Sequence, residues 1–353
     1  VKIVAFEVIP YALPFRQPYL TARGRLDRRE MVLLRLHSEE GLVGLGEAVP
    51  LSLRGGATLG RVIAELEGLA KLSELDEKTL RGESLRLSAP ARCAALTALL
   101  DLRSRRTGAE SSQAGVPSGE PIACNATLVA GEPDAVAADA ERWAGEGFAT
   151  FKLKLGVGDD VGQVRAVREA LGPEAKIRVD ANAAWDVETA KRVLLEVEPL
   201  GIELVEQPAA TLGALAEIGE ATSIPVAGDE SVESCADAER AARMGACDMT
   251  SVKLSKVGGP EEAIEIAEVM PCYLSSALDG PVGIAAAAQT AQTLDAKAFG
   301  DTPRLAHGLA TQRLFASTIA SVECELHEGM LHLPPGPGLG VEIDEKALAA
   351  HRL

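Results

Sequence analysis

No basic run, no Cys-x-x-Cys pair and no membrane-length apolar stretch occurs anywhere in the 353 residues. With a formal charge of −17, the missing basic run argues against nucleic acid or an anionic membrane surface as the main partner. A small anion bound locally stays open. The six cysteines, Cys93, Cys124, Cys235, Cys247, Cys272 and Cys324, follow no framework spacing, which fits reduced thiols in a reducing compartment and suggests no zinc site. The N-terminus is apolar, but Glu7, Pro10 and Pro14 interrupt it before a signal-peptide core can form. The expectation is a cytoplasmic protein. Aromatics are scarce at 3%, yet 47% of residues are apolar, enough for one large barrel plus a smaller domain. Self-association into a homo-oligomer is compatible with all of this.

The chain opens with strand-like runs, VKIVAFEVI, MVLLRLHS and LVGLGEAVP, the last two separated by a turn at Glu40 and Gly41. Helical spacing follows at 59–70 and 91–106, giving the strands-then-helices order of an α+β unit. Residues 107–120, TGAESSQAGVPSGE, are polar and turn-rich and predict a linker. From Ile122 onward, short apolar runs alternate with amphipathic segments such as VETAKRVLLEV, the rhythm of a parallel β/α barrel. The predicted organisation is a capping domain over 1–120, a barrel over 121–322, and a Pro/Gly-rich segment over 323–353 that returns to the cap.

Within the barrel, five charged residues each end or follow an apolar run, at intervals of 23 to 26 residues: Lys154, Asp180, Glu206, Asp229 and Lys253. That interval is what one strand, one helix and two loops consume, so the five converge on the face where such barrels do chemistry. Three carboxylates without histidine or thiolate favour Mg²⁺ or Mn²⁺ over zinc. A single acid at a strand end is often a helix cap or a solvated loop residue; three in succession are not easily explained so. Lys152 and Lys154 share one side of their strand. Burial and like charge would lower the Lys154 pKa and fit it to take a proton near neutrality. Lys253 falls across the mouth from Lys154, so two amines can flank a planar carboxylate substrate. A lysine there also admits Schiff-base chemistry of the aldolase kind.

Together FKLKLG, RVDANAAW, LVEQP, IPVAGDES and SVKLSKVGGP resemble the enolase superfamily, specifically its muconate-lactonizing subgroup, and the early GLGEAVPL stretch is similar to that family's capping strand. The resemblance implies a modified (β/α)7β barrel with an N-terminal α+β cap. It makes Lys154 and Lys253 the opposed lysines, with Lys152 beside the first, and Asp180, Glu206 and Asp229 the magnesium ligands. The implied reaction is removal of a proton α to a carboxylate through an enediolate. Asn182, Glu230, Ser275 and Ser276 are further candidates for substrate contact or support of the ligands.

The mandelate-racemase subgroup uses a histidine–aspartate pair on later strands; here Lys253 and Ser275 stand there. Dipeptide epimerases carry Asp-x-Asp at the eighth strand, and in the candidate region, Ala277 to Pro281, only Asp279 is acidic. The stretch YLSSALDGPVG, followed by LAHGLAT, resembles o-succinylbenzoate synthases, which implies dehydration of a cyclohexadiene carboxylate in menaquinone synthesis. Muconate or chloromuconate cycloisomerisation and N-acylamino acid racemisation are the alternatives within the family. Specificity is expected in the cap, from Leu20 with its neighbours Tyr19, Thr21 and Arg23, and from Leu53 in the loop 51–56. Gly55 and Gly56 suit a hinge or a plain turn. His307 and Lys256 could as well be structural.

Overall fold

Residues 1–21, 24–52, 55–72, 75–108, 120–297 and 304–353 are described by a computed structural model. Four antiparallel strands open the chain: β1 (Lys2–Thr21), β2 (Gly24–Ser38), β3 (Val43–Ala48) and β4 (Leu75–Asp76), ordered β3-β2-β1-β4. β1 and β2 form one long hairpin, from Ile3 opposite Ser38 to Thr21 opposite Gly24. Because side chains alternate along a strand, the apolar run 31–34 serves two cores. Met31 and Leu33 join the large core shared with the barrel, whereas Val32, Leu34 and Leu36 pack beneath the cap helices. Burial on both faces is why the run is unbroken.

Those helices are α1 (Leu59–Leu69), α2 (Glu77–Ser84) and α3 (Ala89–Thr107). Helical spacing predicts α1 and α3 but not α2, along which only Leu80 and Ser84 are buried. β3 lies directly on α3, where a Cβ at Gly44 or Gly46 would stand 2.1 Å from the Ala98 carbonyl or 2.0 Å from that of Ala94. Most of the expected linker, residues 109–119, falls outside the described residues.

After β5 (Ile122–Ala123), seven parallel strands follow in sequential order: β6 (Asn125–Leu128), β7 (Thr150–Lys154), β8 (Lys176–Asp180), β9 (Ile202–Glu206), β10 (Val226–Gly228), β11 (Met249–Val252) and β12 (Cys272–Leu274). The helices between them are α4 (Pro133–Gly145), α5 (Asp160–Leu171), α6 (Val187–Val197), α7 (Leu212–Gly219), α8 (Cys235–Met244), the short α9 (Leu254–Val257) and α10 (Pro260–Val269); α11 (Pro281–Lys297) follows β12. Asp159, Asp186, Thr211 and Ser234 each cap the helix that follows by accepting a first-turn backbone N–H.

Closure needs an eighth member, and among the described residues two supply it. His307 bridges in parallel to Cys124 beside β6, and Gly308 to Ser275 at the end of β12. The fold is therefore the (β/α)7β barrel with an α+β cap. Residues 277–281 follow the seventh strand and not the eighth where they were expected, so Asp279 is not the counterpart of an eighth-strand acidic pair. Beyond the barrel, β14 (Glu325–His327) and β15 (Met330–His332) form a small sheet with β5, and β13 (Ala320–Val322) pairs with β16 (Glu342–Ile343). α12 (Glu345–His351) comes back to β1, where the Leu353 N–H donates to the Pro10 carbonyl at 3.0 Å. No described helix is long and apolar enough to cross a membrane.

Candidate active site

Strand register sets the site. Lys154, Asp180 and Glu206 lie side by side at the ends of β7, β8 and β9. Asp229 follows the last residue of β10 and Lys253 the last of β11. In a ring of eight, β7 and β11 stand opposite each other, so Lys154 and Lys253 face one another across the mouth. Just past the strands the backbone turns sharply, with φ of 46° at Asn182, 61° at Ala183 and 40° at Gln207. Such strain in non-glycine residues is held only where surrounding bonds enforce it. Such bonds are present: the Asn182 N–H donates to Asp180 Oδ1 at 2.9 Å, the Ala183 N–H to the Gln207 carbonyl at 2.8 Å, and Gln207 Oε1 accepts from the Asp229 N–H at 2.7 Å.

All three carboxylates are fully buried and carry ammonium groups. Lys152 Nζ donates to Glu206 Oε2 at 2.6 Å and lies 2.9 Å from Asp180 Oδ2. Lys154 Nζ donates to Asp180 at 2.5 Å and to Asn182 Oδ1 at 2.8 Å. Lys253 pairs with Asp229, and Lys256 donates to Asp229 Oδ1 at 2.9 Å. Burial works against each charge, but the lysines hold Asp180 well below the ordinary carboxylate range. The expected depression of Lys154 is not found in this arrangement. Burial, the largest influence, and Lys152 push its pKa down, but Asp180 with help from Tyr19 and Glu206 outweighs them, leaving it above the usual lysine value.

A cavity of about 760 Å³ opens above these residues, walled by Lys152, Lys154, Lys253 and Lys256 below and by Tyr19 and Arg29 of the cap hairpin above. Asn182, Glu230, Ser275 and Ser276 also line it. Ser275 Oγ hydrogen-bonds Ser251 Oγ at 3.0 Å, and Ser276 donates to Asp279 Oδ2 at 2.7 Å. The Leu20 side chain, with Arg23 and Leu53, lies outside the described residues. His307 is buried in the barrel wall, its Nδ1 accepting from the Leu274 N–H at 2.9 Å and its Nε2 3.4 Å from Asp295. Both ring nitrogens thus face neighbours within the wall.

Two residues of the site escaped sequence reasoning. Arg178 and Tyr273 are fully buried inside the barrel, with the guanidinium 4.8 Å from the ring centroid. Arg178 stands two residues before Asp180, hence on the same strand face; alternation gives that face but not the partner across the barrel.

Among the described residues no three His, Cys, Asp or Glu side chains form a ready cation cage; the acids close on lysines instead. The donor set nonetheless fits a hard divalent ion. It offers three carboxylates on adjacent strands, and Glu206 Oε1 is buried without a hydrogen-bond partner.

Fold and site together define a capped-barrel enzyme with its chemistry at the strand ends. Residues 4–113 match the mandelate racemase / muconate lactonizing enzyme N-terminal domain, and residues 135–347 match the enolase C-terminal domain-like family. The chain belongs to the enolase superfamily. It is 34% identical to an o-succinylbenzoate synthase from Thermobifida fusca, over 68% of this chain and 74% of that protein. A muconate lactonizing enzyme from Pseudomonas fluorescens, complexed with muconolactone, superposes with a TM-score of 0.92 at 28% identity, covering 99% of both chains. A dipeptide epimerase from Enterococcus faecalis V583, complexed with Mg and L-Leu-L-Tyr, gives 0.89 at 26% identity, covering 97% of this chain and all of that one.

Proposed function

We propose that this enzyme removes the proton α to a carboxylate of a small substrate, and that its reaction is the o-succinylbenzoate synthase dehydration. The observation that carries the reading is the pair of opposed lysines over one cavity with three acids between them. Asp180, Glu206 and Asp229 would hold Mg²⁺ or Mn²⁺, which supplies the positive charge that offsets the second negative charge created at deprotonation. Lys154 takes the α-proton from one face, which requires it to give up its ion pair with Asp180 and stand as a neutral amine. Lys253 lies against the other face, where its charge supports the anion while hydroxide leaves and the ring becomes aromatic. The cap closes the cavity from above and keeps water from the reacting carbon.

Two observations favour a substrate without a free amine. The eighth-strand position offers Gly308 and Thr311 to the cavity, with no carboxylate between 304 and 311. The floor is lined by four lysines, which suits an acid. A Schiff-base role is disfavoured because the three acids between the lysines have no use in imine chemistry, whereas metal-assisted proton removal needs them.

Racemisation of N-acylamino acids is the second reading. The near symmetry of Lys154 on Asp180 and Lys253 on Asp229 favours it, since proton removal from one face and return to the other uses both amines. Side-by-side assay with the cyclohexadiene carboxylate, muconate and an N-succinyl amino acid decides among these. Dehydration is expected to be the fastest by kcat/KM. Lys154→Ala and Asp229→Asn should each abolish turnover with the fold intact; normal activity in either purified variant removes the assignment.

A further inference from the structure

Glu206 is held by two donors on a single oxygen. Lys152 approaches Oε2 from β7, and Tyr273 reaches the same atom from β12 across the barrel interior, its hydroxyl donating at 2.5 Å. Oε1 receives nothing and is sealed from solvent. A buried phenol needs a partner, and a phenylalanine would fill this space at lower desolvation cost. The hydroxyl therefore has a use beyond packing.

Tyr273 is itself fixed from behind. Arg178 lies 4.8 Å from its ring centroid, donates through Nε to Glu203 Oε2 at 2.5 Å, and through Nη1 to the Ala306 carbonyl at 2.7 Å. Its Nη2 is buried without a partner, so the guanidinium gives up one hydrogen bond to keep its place against the ring. Leu204 and Ala227 pack around Tyr273 in a small cluster separate from the main core. The phenol has little room to swing.

We infer that Tyr273 is a positioning residue for the metal: by saturating Glu206 Oε2 together with Lys152, it fixes the carboxylate plane and reserves Oε1 for the cation. Arg178 clamps the ring that does this. The inference rests on the reading of Asp180, Glu206 and Asp229 as the metal-binding set. Partners one step behind a ligand orient it, and their loss typically weakens metal binding by about 10- to 100-fold. Without the hydroxyl, Glu206 can rotate about its last torsion, and Lys152 can then follow either oxygen.

The test is Mn²⁺ titration of the full-length protein, read by calorimetry and by the signal of free Mn²⁺ in electron paramagnetic resonance. Tyr273→Phe keeps the ring and its stack and should bind Mn²⁺ about 10- to 100-fold more weakly, while its melting temperature in chelator stays close to that of the wild type. Arg178→Lys keeps the hydroxyl but loses the planar clamp, and should fall between the two; it also serves if Tyr273→Phe folds poorly. Wild-type affinity in both variants overturns the positioning role and leaves the metal reading standing. Absence of Mn²⁺ binding by the wild type overturns both.

Discussion

Lys152 carries two of the three acids. Its ammonium lies 2.9 Å from Asp180 and 2.6 Å from Glu206, and its own pKa stands well above the lysine norm because those charges outweigh the burial that opposes them. Removing one partner of a buried ion pair strands the other, at a cost of about 3–5 kcal/mol. Lys152→Met is therefore expected to lower the metal-free melting temperature sharply, and added Mg²⁺ should recover more stability in this variant than in the wild type. Equal responses to Mg²⁺ in differential scanning calorimetry would contradict that account. The residues that could be read from sequence were those at strand ends, because an acid or lysine closing an apolar run has a position and a direction. Tyr273 and Arg178 sit inside strands, where an aromatic passes for core and a lone arginine for an edge. Their roles depend on what lies across the barrel, and no local pattern reports it.

At the scale of elements, the β/α rhythm was legible from Ile122 onward because each strand is a short apolar run and each helix has an amphipathic face and a cap. The eighth member was not. His307 and Gly308 join the wall by single bridges and have no periodicity to detect, and residues 277–281, expected at the eighth strand, follow the seventh. α2 escaped for a related reason: a helix with two buried side chains shows no apolar stripe. The paired glycines of β3 carry a prediction at this scale. Gly46→Ala places a methyl 2.0 Å from the Ala94 carbonyl, against helix backbone that cannot rotate away. Overpacking of this kind costs about 1–3 kcal/mol, occasionally more, and β3 runs directly into Pro50 and Leu51 at the cavity rim. Urea denaturation should show the loss, and KM should rise because the rim moves with the strand. An unchanged denaturation midpoint would show that β3 does not rest on α3.

For the molecule as a whole, the decisive contact is where the cap meets the barrel. Glu47, buried on β3, accepts from Tyr11 of β1 at 2.8 Å and from the Gly280 N–H, just before α11, at 2.6 Å. Burial and then the nearby Asp279 carboxylate push its pKa up to about 8, against the hydrogen bonds from Tyr11, Gly280 and Gly283 that draw it down. The folded protein thus keeps a proton that the unfolded chain releases near 4.5, so this group lowers stability as pH rises from about 4.5 to 8 and has no further effect on either side. Glu47→Gln mimics the neutral acid, with its amide donating to Tyr11, and should flatten the fall in melting temperature across that window. Parallel pH profiles for the two proteins would rule Glu47 out as the source. The seam has a second fastening, for β1 receives residue 353 at Pro10 and the Ala316 N–H at Pro14. Pro10 and Leu353 stand far apart in sequence, as do Pro14 and Ala316, with the whole barrel between them. Because synthesis runs from β1 toward α12, this part of the hairpin edge is occupied only once the barrel has been made, and until then it is an open strand edge that a holding chaperone could cover.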